Sequence, residues 1–119
     1  VIYGSACHGF TNLETVIIVE GIVTIGNAFY GCASLSSVQI PTTVVEIARG
    51  AFSDCTSLVS ITIPGSVTTI GEFVFSGCSA LTSITFTGTM AQWNALISWN
   101  LGEGQNVKTI HCKDGDLSR

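Results

Sequence analysis

The residues best able to do chemistry are five cysteines, two histidines and a short acidic run near the end of the chain. Cys32, Cys55 and Cys78 recur at one constant interval. Stacked in register, such thiols would form a metal or redox ladder, since thiolates are soft ligands and good nucleophiles. Cys7-His8 and His111-Cys112 hold both histidines beside the other two thiols. Brought together they would suit a Cys₂His₂ zinc centre or a Cys–His dyad. Lys113-Asp114-Gly115-Asp116 carries a faint likeness to a calcium loop. Which of these groups can meet depends on the frame that carries them.

That frame is a repeat. Ala28–Ile47, Ala51–Ile70 and Val74–Trp93 align without gaps, and Ala6–Ile25 is a weaker copy. Their leucines, Leu13, Leu35, Leu58 and Leu81, follow one another at steps of 22, 23 and 23. Apolar residues follow each leucine at the third, fifth, ninth and twelfth places, as in Ile61, Ile63, Val67 and Ile70. The first two alternate with polar residues, which is the period of a half-buried strand. Pro41 and Pro64 then end the ladder, because proline has no N–H to donate. The chain turns near Gly26, Gly50 and Gly71, and the pairs Ala28-Phe29 and Ala51-Phe52 fill the far side. One such coil cannot bury its apolar face alone, whereas stacked coils can.

The motif A-F-x-x-C-x-x-L-x-x-V/I-x-I-P-x-x-V-x-x-I resembles the BspA-like class of leucine-rich repeats, found in surface proteins of bacteria and some protists. The resemblance runs from Ile2 to about Phe86. The stretch from Thr85 to Gly115 looks like the terminal cap that many such proteins carry. The first copy departs from the pattern, with Cys7 in the phenylalanine column and Phe10 in the cysteine column. The expected fold is an α/β repeat: a right-handed leucine-rich-repeat solenoid with a parallel sheet, coils of about 22–23 residues and a helical C-terminal cap. Strands are predicted near 15–18, 37–40, 60–63, 83–86 and 107–110, the last placed by adding 23 to Ile84. Residues 1–88 form the repeats, the first coil partial, and 89–119 the cap.

Within the cap, Met90, Trp93 and Ile97 step by three and four, the spacing of one helical face. Thr89 is placed to cap that helix. Trp93 falls in the column held by Ile25, Ile47 and Ile70, and is predicted to anchor the cap; Trp99 is expected to be a satellite contact. Ile2 already occupies a core column at the start, so that end reads as uncapped and open to end-to-end contact.

The frame answers the chemical questions. Neighbouring strands lie about 4.7–4.9 Å apart, whereas bridged cysteines hold their Cβ atoms roughly 3.5–4.5 Å apart. Cys32, Cys55 and Cys78 are therefore read as buried, reduced structural thiols. Cys7-His8 and His111-Cys112 lie four strand steps apart, roughly 20 Å, far beyond a zinc ligand's reach. Within each pair, adjacent strand residues point to opposite faces. The acidic run lacks the ligand series of a calcium loop and reads as a turn at a fraying terminus. No catalytic, metal or cofactor site is expected.

Composition narrows the function. Only 10% of residues are charged and 46% are hydrophobic, which excludes a disordered chain. A net charge of −4 argues against nucleic-acid binding, and no apolar run approaches the roughly 20 residues of a membrane helix. The outward strand positions form two largely polar columns: Thr15, Ser37, Ser60, Ser83, and Ile17, Gln39, Thr62, Thr85. These are the candidate ligand face; simple solvation explains polar exposed positions equally well. The family resemblance implies an extracellular or cell-surface, non-enzymatic module that binds proteins, mediating adhesion to host, matrix or a neighbouring cell. A structural spacer or display stalk within a larger surface protein is the alternative.

Overall fold

The computed structural model describes residues 12–96 and 101–118. Expectations that rest on Ile2, Cys7, His8, Phe10, Ile97 or Trp99 lie outside the described residues. The described chain winds as a solenoid. Its first strands are β1 (Thr15–Ile17), β3 (Ser37–Gln39), β5 (Ser60–Ile63) and β7 (Ser83–Phe86). Each of the first three is followed across a turn by a short second strand, β2 (Thr24–Ile25), β4 (Glu46–Ile47) or β6 (Thr69–Ile70). The fourth coil replaces its second strand with helix α1 (Met90–Leu96). The chain closes with a hairpin of β8 (Thr109–Cys112) and β9 (Gly115–Ser118).

Pairing between coils is parallel and in register: Thr15 faces Ser37, Ser60 faces Ser83, and Glu46 lies between Thr24 and Thr69. The repeat period is thus converted into columns of identical residues. Ile25, Ile47 and Ile70 form one column, Leu35, Leu58 and Leu81 another, and all six side chains are buried. Phe29, Phe52 and Phe75 stack through the core with ring centroids 5.5 and 6.0 Å apart. A fully buried phenylalanine contributes about 1.5–3 kcal/mol, and these rings gain from offset stacking besides. The face ladder is not continuous: β1 and β3 form one sheet, while β5, β7, β8 and β9 form another.

Corners of the coils place some residues in the left-handed region. Gly31 and Gly77 take φ of 75°, and Asp54 holds the matching place at 60°. A Cβ at Gly77 would meet the Asp54 carboxylate, which would have to swing aside.

The last strand differs from its predicted place. It spans Thr109–Cys112, and Ile84 pairs with Ile110 rather than with Val107. The fourth turn is longer than the coils before it because it must accommodate a helix and the loop after it, in place of a short strand. Val107 is still buried, but it takes the place that Leu81 holds one coil earlier. Nor does the acidic run fray. Lys113 and Asp114 form the turn of the hairpin, and β9 pairs antiparallel with β8 along its length. Two-residue turns are the commonest connections in such hairpins.

The cap helix forms where expected. Gln92 N–H donates to Thr89 Oγ1 at 3.1 Å, and Thr89 N–H donates to Gln92 Oε1 at 2.8 Å. This reciprocal pair satisfies two amides that the helix start leaves without partners. Trp93 is buried and meets the Phe86 ring edge-on at 5.3 Å. Met90 is half-buried. A single hydrophobic core runs from Ile18 through Trp93 to Ile110, so coils and cap share it.

Candidate functional site: the outward face of the sheet

Alternation along the strands decides what the face presents. Ile61, Ile63, Ile84 and Phe86 point into the core, which sends Ser60, Thr62, Ser83 and Thr85 outward. Thr15, Ile17, Ser37, Gln39, Ser60 and Thr62 are exposed; Ser83 and Thr85 are half-buried. The structure therefore brings all eight predicted residues onto one face, in two columns.

The columns extend further than predicted. Because β8 pairs three positions later than expected, Thr109 follows Ser83 and His111 follows Thr85. Across the hairpin, Ser118 lies opposite Thr109 and Asp116 opposite His111. One column thus reads Thr15, Ser37, Ser60, Ser83, Thr109, Ser118, and the other Ile17, Gln39, Thr62, Thr85, His111, Asp116. His111 Nδ1 and Asp116 Oδ1 stand 3.0 Å apart, both side chains largely exposed. Sequence reasoning missed these four positions by adding 23 to Ile84. The better signal was the motif itself, because Val107, Ile110 and Cys112 repeat the spacing of Leu81, Ile84 and Phe86.

At the other end of the second column the surface is apolar. Ile17 is 65% and Val19 66% exposed. They line a groove of about 330 Å³ with Glu20, Gln39, Ile40 and Pro41. A smaller groove of about 180 Å³ lies off the face, between the third coil and α1, lined by Val67, Thr68, Gln92 and Leu96.

The other reactive groups are engaged in the fold. Cys55 Sγ donates to Phe29 O at 3.2 Å, and Cys78 Sγ to Phe52 O at 2.9 Å. Cys32, Cys55 and Cys78 are thiols without solvent exposure. The hydrogen bond with the Cys78 side chain, then burial, pushes the Cys55 thiol above its ordinary range, which suits an inert packing group. Cys112 is half-exposed, and burial, reinforced by the Asp114 and Asp116 carboxylates, raises its thiol too. Asp114 Oδ1 accepts the Met90 N–H at 2.8 Å, and Lys113 N–H donates to Gly88 O at 2.9 Å. The acidic run thus locks the hairpin onto the start of α1, where negative charge is favoured. Among the described residues, no group of three or more His, Cys, Asp and Glu side chains is placed to hold a metal ion.

Comparison with known proteins agrees with this architecture. A family model described as the BspA type leucine-rich repeat region matches residues 1–111 in six copies. A leucine-rich cell surface protein from Faecalibacterium prausnitzii A2-165 is 38% identical, with a TM-score of 0.67, over 71% of this chain and 22% of that one. The leucine-rich-repeat protein of T. pallidum is 27% identical, with a TM-score of 0.75, over 92% of this chain and 50% of that one. The chain therefore spans half or less of either protein's length. No curated protein sequence matches it.

Proposed function

The chain belongs to the BspA-type leucine-rich-repeat family, and we propose that it acts at a cell surface as a non-enzymatic protein-binding module that engages its partner through the outward face of the sheet. Adhesion to a host, matrix or neighbouring-cell protein is the use we assign to it. The observation that carries the reading is the register. Two outward columns run from β1 to β9, across a break in the hydrogen-bonded ladder between β3 and β5, with no buried position among them, and stacked repeats use such extended faces for recognition. The surface location rests on the family and on the F. prausnitzii relative, which is a cell surface protein. Among the described residues no helix is long and apolar enough to cross a membrane.

Gln39→Arg combined with Thr62→Arg tests this. Both side chains are exposed, so the fold should be untouched while two charges are planted on the face. The parent and the variant are assayed on immobilised extracellular-matrix proteins and on intact cells. Loss of binding in the variant, with an unchanged thermal melt, is the expected result. Binding by the parent that the variant fully retains would move recognition off the sheet face, and no binding by the parent would favour the spacer or display-stalk reading, with recognition carried elsewhere.

A further inference from the structure

The second outward column is polar in its middle and different at its two ends. It begins with exposed Ile17, beside Val19 and the groove against Ile40 and Pro41. It continues through Gln39, Thr62 and Thr85, whose amide and hydroxyl groups both donate and accept. It ends in the His111–Asp116 pair, the titratable groups of the column. Lys108 precedes β8 and Lys113 sits in the hairpin turn, both outside the column.

Resting on the reading of this face as a binding surface, we propose that its occupant is an extended peptide segment of the partner, laid across the strands, with an aliphatic side chain at the Ile17 end and a lysine or arginine at Asp116. Four features favour this occupant. Donor-acceptor side chains along the middle match the alternating N–H and C=O groups of an extended main chain. From β1 to β9 the row crosses six strands, about 24 Å at strand spacing, which an extended segment of about seven residues spans. The Asp116 carboxylate is 60% exposed, and a chain with a net charge of −4 attracts a basic partner over a longer range. The described columns hold no exposed aromatic residue, so the aromatic anchors typical of tight interfaces between folded proteins are missing from the face.

The test is selection of a random, unstructured octapeptide library on the immobilised protein, followed by measured affinities of a selected peptide. Selected sequences should carry an aliphatic residue near one end and Lys or Arg near the other. Asp116→Asn should weaken such a peptide about two- to fivefold, the effect of an exposed ion pair. Replacing the peptide's lysine with norleucine should weaken it similarly, and should abolish the sensitivity to Asp116→Asn. Ile17→Ser should weaken binding irrespective of that lysine. Selected peptides without a basic residue, or losses from the two charge changes that simply add, overturn this assignment and leave the sheet face standing as a binding surface. Full retention of peptide binding by Gln39→Arg/Thr62→Arg overturns it together with the proposed function.

Discussion

The second and third coils and the closing turn bury the same kinds of residue by different means. In the coils the main core interactions are repeated one step along. Phe52 lies between Phe29 and Phe75, Leu58 occupies the column of Leu35 and Leu81, and Asp54 N–H donates to Ser76 O as Gly77 N–H donates to Glu103 O. Phe52 and Leu58 therefore each lie between two equivalent neighbours. The closing turn has interactions made once: the Thr89–Gln92 pair, Asp114 on the Met90 amide, and Trp93 edge-on to Phe86. A repeat must satisfy a period, whereas a cap must end it. Coils should thus share their loss widely, and the cap should fail locally.

The largest expected contrast is in thiol reactivity, measured in a Cys7→Ser background with an aromatic disulfide reagent. Cys112 is half-exposed at the hairpin and should react in the native state, slowed by its raised thiol pKa. Cys32, Cys55 and Cys78 can react only when the stack opens. For a domain of ordinary stability of about 5 kcal/mol or more, they should be at least about 1,000-fold slower. Native labelling of the three at the rate of Cys112 would break the picture of a closed column.

Next comes truncation of the two aromatic anchors. Phe52→Ala should cost about 3–5 kcal/mol in denaturant melts, since it leaves a cavity between two stacked rings. Trp93→Ala falls in a similar range by size, but towards its lower end, because Trp93 meets the Phe86 ring edge-on at the end of the stack instead of lying between two rings. Its distinctive effect should be self-association, seen by light scattering, because that end becomes exposed. If Trp93→Ala melts like the parent and stays monomeric, α1 is not closing the solenoid.

Smaller changes sharpen the distinction. Thr89→Ala removes the helix cap and should cost about 1 kcal/mol. Hydrogen exchange should quicken at amides of 90–96 and of the hairpin, with those of β3 to β6 unchanged. Uniform quickening would mean that cap and coils open as one unit. Asp54→Gly should act with the opposite sign. It relieves a left-handed backbone costing about 1–2 kcal/mol, against the larger unfolded-state entropy of glycine. The expected outcome is a gain of about 0.5–1 kcal/mol by chemical denaturation; a loss would show that the Asp54 side chain stabilises that corner.

Much of the solenoid was legible in the residues alone. The leucine, isoleucine and cysteine columns follow from a period of 23, because stacking identical coils puts equal offsets together. The same period and the alternation of buried and exposed residues identified eight positions of the outward face, from Thr15 to Thr85. The cap helix was legible too, through the spacing of Met90 and Trp93 and the Thr89 cap. What the sequence could not determine lies where the period stops. The length of the closing turn depends on how far a helix and a loop travel before a strand can rejoin the sheet. That is a three-dimensional path, and it moved β8 so that Ile110, not Val107, meets Ile84. Only that register puts His111 and Asp116 at the end of the second outward column. Likewise, nothing local assigns Asp114 to the amide of Met90, a full turn of the solenoid earlier. Composition favours a turn at Lys113-Asp114, but whether it frays or docks depends on the helix start that chain folding carries beside it.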